Sequence, residues 1–159
     1  MRALTRAEVR DVDRRAIDHY GMSGLVLMEN AGRGCVEVLL TLGCRGPVVI
    51  ACGKGNNAGD GYSLARLAHR EGSAVRVLAV GAPERLQRDA RRAYEECAAA
   101  GVAIERFRNG VAPGASDVIV DALLGIGADR LLAGDFEAAV AAINSAERPV
   151  LALDIPSGL

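Results

Sequence analysis

Val48-Val49-Ile50-Ala51-Cys52-Gly53-Lys54-Gly55-Asn56-Asn57-Ala58-Gly59-Asp60-Gly61 is the stretch that decides the fold. It opens on five apolar residues, β-branched at the start, as expected of a strand covered on both faces. Four glycines follow in a predicted loop, and from Asp60 to Glu71 the apolar residues recur at helical spacing. Strand, glycine-rich turn and helix make half of a β-α-β unit, and the chain repeats it. Further apolar runs lie at Val75 to Val80, Val102 to Phe107, Val118 to Leu124 and Val150 to Ile155, with helices predicted at Pro83 to Ala100 and Asp135 to Ala146. Glu105 and Arg106 interrupt the third run, which places it at an edge. Right-handed crossovers then favour the strand order 3-2-1-4-5.

Upstream, Thr5 and Glu8 form the ends of a capping box for a first helix, in which Val9, Val12, Ala16 and Ile17 recur at helical spacing. Ser23 opens a second helix through about Leu42, with a stripe of Leu25, Met28, Gly32, Cys35 and Leu39. The expected architecture is therefore α/β: a three-layer Rossmann-like fold, a mostly parallel sheet with helices on both faces, preceded by two N-terminal helices.

Composition narrows the function. The chain has 159 residues, half of them apolar, enough for one core and one domain. Nineteen basic residues are interspersed among twenty acidic ones, for a formal net charge of -1, which argues against nucleic acid as partner. Cys35, Cys44, Cys52 and Cys97 form no C-x-x-C pair, so neither a zinc site nor a disulfide framework is signalled. His19 and His69 fall in charged helical stretches and are expected at the surface. No signal-peptide pattern and no run of spanning length is visible, so a cytoplasmic protein with no membrane partner is expected.

Ligands of such sheets bind beyond the carboxyl ends of the strands where the order reverses, here between strands one and four. The segments that follow those strands are the glycine-rich stretch already quoted and Asp121-Ala122-Leu123-Leu124-Gly125-Ile126-Gly127. The first suits phosphate, because glycines allow close backbone approach and the following helix offers free N–H groups. Its G-x-G-x-x-x-G spacing is one residue longer than the usual dinucleotide fingerprint, and strand two ends in Val80-Gly81 where a ribose-binding acid would stand. An ordinary NAD-dependent dehydrogenase is thereby disfavoured. Asp121 and Asp154 each close an apolar run, and two carboxylates at one crevice mark a site. Glu29, Asn30 and Arg33 are further candidates to line it, and Lys54 and Arg130 are candidates for phosphate.

Three segments in register, Gly55-Asn56-Asn57-Ala58-Gly59-Asp60-Gly61, Asp121 to Gly127, and Asp154-Ile155-Pro156-Ser157-Gly158, together resemble the NAD(P)H-hydrate epimerase family, or YjeF N-terminal domain. Leu27-Met28-Glu29-Asn30-Ala31-Gly32-Arg33 is similar to a helix of the same family. The resemblance implies substrate contacts from Asn56, Asn57, Ala58, Gly59 and Asp60, from Gly125, Ile126, Gly127, Ala128, Asp129, Arg130 and Leu131, and from Asp154. It implies a potassium ion (K+) held by Asn57, Asp121 and Ser157, a set of hard oxygen donors suited to such a cation. The implied reaction interconverts the R and S forms of the hydrated dinucleotides NADHX and NADPHX, of which one form suits a partner, the ADP-dependent NAD(P)H-hydrate dehydratase. Asp154 is the candidate for proton transfer.

Two departures stand out: Ala58 occupies a position where the family usually has glycine, and Ile126 one where a small polar residue is common. Family members also continue past the third motif with further strands, whereas this chain stops at Leu159. The expectation is one domain, residues 1–159, lacking its last strands, and either self-associating as a homo-oligomer or an excerpt of a longer protein such as one fused to the dehydratase. A competing expectation is a non-catalytic binding or scaffold module of the same family. The intact polar positions of all three motifs weigh against it.

Overall fold

Strand β1 (Val48–Cys52) is buried along its whole length, as its unbroken apolar run requires of a strand at the centre of a sheet. In the computed structural model, which describes residues 4–44, 46–108, 113–114, 116–127 and 131–159, it pairs in parallel with β2 (Val75–Ala79) on one side and β4 (Val118–Ala122) on the other. Strands β3 (Ala103–Arg106) and β5 (Val150–Ala152) take the two edges, so the order is β3-β2-β1-β4-β5, all parallel, as the crossover rule predicts. At the β3 edge Glu105 leaves the core and pairs with Arg76 of β2 at 3.1 Å.

Helices cover both faces. On one, α2 (Gly24–Thr41), α3 (Asn56–Arg70) and α4 (Arg88–Ala99) close over a core that includes Met28, Leu39, Ile50, Tyr62, Leu64 and Val77. On the other, α5 (Asp135–Ser145) packs Ala139 and Ile143 against Ala51, Ile119 and Leu123. Helix α1 (Arg6–Asp18) begins at the predicted capping box, with the Thr5 N–H donating to Glu8 at 2.8 Å and the Thr5 hydroxyl accepting the Glu8 N–H at 3.3 Å. None of its residues is buried.

Four boundaries differ from expectation. Helix α3 starts at Asn56, so most of the predicted loop is helix. Of its four glycines only Gly55 has a positive φ, +88°, and it is the N-cap. Gly59 and Gly61 serve close packing instead: a Cβ on Gly59 would lie 2.7 Å from the Met28 sulfur, and one on Gly61 2.6 Å from the Ala122 Cβ. The predicted helix from Pro83 is broken, because buried Leu86 is extended and Arg88 is left-handed at φ 51°, leaving a 3₁₀ turn (Pro83–Arg85) ahead of α4. β4 ends at Ala122, where Leu123 turns its N–H back to the Asp121 carboxylate. β5 ends at Ala152, and Asp154, left-handed at φ 70°, turns the chain away.

Candidate active site

The carboxyl ends of β4 and β5 are tied together by one carboxylate. Asp121, the fourth residue of β4, is 5% exposed. Its Oδ2 accepts the Ser157 backbone N–H at 2.8 Å, and its Oδ1 accepts the Ser157 hydroxyl at 2.8 Å and the Leu123 N–H at 3.1 Å. The Ser157 oxygen in turn accepts the Leu124 N–H at 3.1 Å. These three donors replace the hydrogen bonds to water that the buried carboxylate gives up.

Asn57, in the first turn of α3, reaches the same point. Its Nδ2 donates to the Leu124 carbonyl at 3.0 Å, while its Oδ1 is buried and has no partner among the described residues. An orphaned amide oxygen costs about 1–3 kcal/mol unless something binds it. Beside the Asp121 carboxylate and the Ser157 hydroxyl, that oxygen completes a donor set that fits a hard cation. Among the described residues there is no cluster of three or more His, Cys, Asp or Glu side chains that could hold a metal ion.

Above this clasp, in the crevice where the strand order reverses, lies an open cavity of about 1030 Å³. That is at the upper end for small-molecule sites. Asn56, Asn57 and Asp60 form its α3 wall, Gly125, Ile126, Gly127 and Leu131 the wall that follows β4, and Asp154 its floor at β5. Gly55 caps α3 without a side-chain hydrogen bond, so the first N–H groups of α3 face a cavity able to receive phosphate. Ala58 and Gly59, on the opposite face of α3, are buried against the core and do not line the cavity. Asp121 and Ser157 lie beneath it. Ala128, Asp129 and Arg130 lie outside the described residues.

The Asp154 side chain is held in place: its Oδ2 accepts the Ile126 N–H at 2.6 Å. A Cβ on Gly125 would lie 2.5 Å from that oxygen, so only glycine lets the two segments meet. Asp60 stands on the other wall. Burial first, then the charges of Asp13 and Asp154, push its carboxyl up to about 7. Lys54 places its ammonium 5.4 Å from the centre of the Phe136 ring at the cavity wall.

Sequence reading missed one wall. Val9, Arg10 and Asp13 of α1 line the cavity, whereas Glu29, Asn30 and Arg33 of α2 do not. Glu29 instead pairs with Arg66 of α3. The helical spacing of Val9 and Asp13 was readable, but nothing local tells which helix folds over a crevice forty residues away. The thiols are unpaired, with Cys52 and Cys97 buried, and burial pushes the Cys97 thiol up to about 12. His19 and His69 are exposed, as expected.

A family model described as YjeF-related protein N-terminus matches residues 24–159. An NAD(P)H-hydrate epimerase of Rhodopirellula baltica is 41% identical over 159 residues, which cover 98% of this chain and 65% of that protein. A bifunctional NAD(P)H-hydrate repair enzyme Nnr of Thermofilum pendens is 37% identical over all of this chain and 32% of its own length. The chain thus spans about two thirds of the one relative and one third of the other. In the crystal structure of the yeast protein ynu0, 20% identical, the fold superposes with a TM-score of 0.86 over 99% of this chain and 72% of that one.

Proposed function

Because the chain belongs to the family of YjeF-related protein N-termini, we propose that it epimerises the hydrated nicotinamide dinucleotides NADHX and NADPHX as part of metabolite repair. The single observation that carries this reading is the meeting of three separate segments at one cavity: the helix start at Asn56 and Asn57, the turn through Gly125 to Gly127, and Asp154. The names of the relatives agree with it. The β2 end bears buried Val80 and then Gly81 where a ribose-gripping carboxylate would stand, which disfavours an ordinary NAD-dependent dehydrogenase.

The inverted carbon bears a hydroxyl and the ring nitrogen, so one of its bonds must break and reform on the other face. Asp154, fixed by the Ile126 N–H, is the group that takes or gives the proton. The first N–H groups of α3 hold the pyrophosphate, and Lys54 is placed to assist. Asn57, Asp121 and Ser157 would hold K+, which when bound offsets substrate phosphate charge and satisfies the Asn57 oxygen. The partner that would consume the usable form is an ADP-dependent dehydratase, carried by a separate protein or fused to this one, and relatives named as bifunctional repair enzymes agree with a second activity beside this domain. Self-association fits the uncovered apolar positions Val12 and Ile17, 56% and 45% exposed, and light scattering tests it. No helix among the described residues is long and apolar enough to cross a membrane, and a cytoplasmic location follows from the substrate.

The test is to supply one NADHX form and follow its conversion to the other by chromatography. We expect the wild type to equilibrate the two and Asp154→Asn, with unchanged melting, to lose roughly 10²- to 10⁴-fold in rate. An Asp154→Asn variant as fast as wild type removes Asp154 from the chemistry. Turnover of NADH itself would indicate a dehydrogenase instead.

A further inference from the structure

Resting on the epimerisation reading, we propose that Asp60 is the second proton-transfer group of the site, the acid that works opposite Asp154. The two carboxylates come from different walls of one cavity, Asp60 from α3 and Asp154 from the turn after β5. Inversion requires that arrangement, since the bond broken on one face is remade on the other.

Their surroundings divide the roles. Asp154 is exposed and its carboxylate is held by the Ile126 backbone N–H. Asp60 is largely buried and has no hydrogen bond or ion pair among the described residues. The groups that face it are Asp13 and Arg10 on α1, Cys35 on α2, Lys54 ahead of α3, and Asp154. Two of these are carboxylates whose charges act on it, and Lys54 is turned to the Phe136 ring. With its carboxyl raised to about 7, Asp60 still carries its proton on a substantial fraction of molecules near neutral pH and can act as the acid.

The step balances without any further reactant. Asp60 gives its proton to the hydroxyl on the carbon to be inverted. The C–O bond breaks, its electron pair leaves with the oxygen as water, and the ring nitrogen lone pair forms the C=N bond. Water adds to the opposite face, a C–O bond forms, the pair returns to nitrogen, and the surplus proton passes to Asp154. Exchange of the two carboxyl groups with solvent then returns a proton to Asp60 and removes the one on Asp154, which readies the site for the next turnover, and the other form runs the same path backwards.

The experiment measures kcat and KM against pH for wild type, Asp60→Asn and Asp60→Glu, together with the infrared carboxyl band of the wild type and of Asp60→Asn. The expected result is a wild-type kcat that falls above about pH 7 and an Asp60→Asn kcat lower by roughly 10²- to 10⁴-fold. In that variant KM changes by less than a few-fold and the alkaline limb disappears. Asp60→Glu should recover part of the rate with a displaced limb, and a carboxyl band titrating near pH 7 should be present in wild type and missing from Asp60→Asn. An Asp60→Asn enzyme that keeps more than a tenth of kcat, or keeps the limb, overturns the pairing while the epimerase reading stands. A wild type that never interconverts the two forms overturns the reading and the pairing with it.

Discussion

A carboxyl that must hold its proton to work leaves a mark on stability as well as on rate. In the folded chain burial and the neighbouring charges of Asp13 and Asp154 raise the Asp60 carboxyl to about 7, while in the unfolded chain it returns to about 4. The folded state therefore binds this proton more tightly, so the stabilisation is complete below about pH 4 and is lost as pH rises through about 7. Because Asp60 is not wholly buried, its ionisation should cost roughly 1–2 kcal/mol at pH 8, less than the full shift would carry. Asp60→Asn removes the ionisable group and keeps the shape. We expect its melting temperature to exceed that of wild type by roughly 3–6 °C at pH 8. The gap should close as the pH is lowered to 4, by differential scanning calorimetry across that range. A gap that is constant with pH would mean that Asp60 ionises normally in the folded chain. The left-handed backbone of Asp154 is a second local cost carried at the same cavity, one that aspartate tolerates better than most residues.

At the scale of elements, α3 links site and core, since Asn57 and Asp60 face the cavity while Ala58, Tyr62 and Ala65 face inward. Tyr62, fully buried, meets Tyr94 of α4 edge to face with ring centres 5.3 Å apart, but its hydroxyl has no partner among the described residues. Tyr62→Phe keeps the ring contact and removes an unsatisfied polar atom, so chemical denaturation should show stability unchanged or higher by up to about 1 kcal/mol. A loss above about 1 kcal/mol would reveal a partner such as a bound water. The same helix shows where sequence reading succeeds and where it stops. β1 was legible to the residue, because a strand covered on both faces is written as one apolar run between breakers. The start of α3 was set four residues late, because Asn56, Asn57 and Gly59 are poor helix formers that packing holds in place. The sheet order followed from chirality alone, and so did the crevice. The α1 wall could not be read, since Val9, Arg10 and Asp13 reach the cavity through tertiary placement that leaves no local pattern.

For the whole molecule, the clasp around Asp121 joins three segments widely separated in sequence: the start of α3 at Asn57, the end of β4, and Ser157 beyond β5. All three are brought together only by the folded sheet, so the proposed cation binds the native state and has no comparable site in the unfolded chain. Any such ligand stabilises by RT ln(1 + [L]/Kd), about 1.4 kcal/mol when it stands tenfold above its Kd. Raising potassium chloride while holding ionic strength constant with choline chloride should therefore raise the melting temperature by roughly 3–6 °C, with sodium giving less. Asp121→Ala acts twice. It removes the acceptor of the Ser157 N–H and hydroxyl and of the Leu123 N–H, so melting should fall in choline chloride alone. It also removes the only charge among the three proposed cation donors, so the increment from potassium should vanish. The two effects separate because one is present without potassium and the other is the difference that potassium makes. Equal melting of the wild type in choline, sodium and potassium would leave Asp121 with the clasp alone, and the Asn57 oxygen would then need another partner.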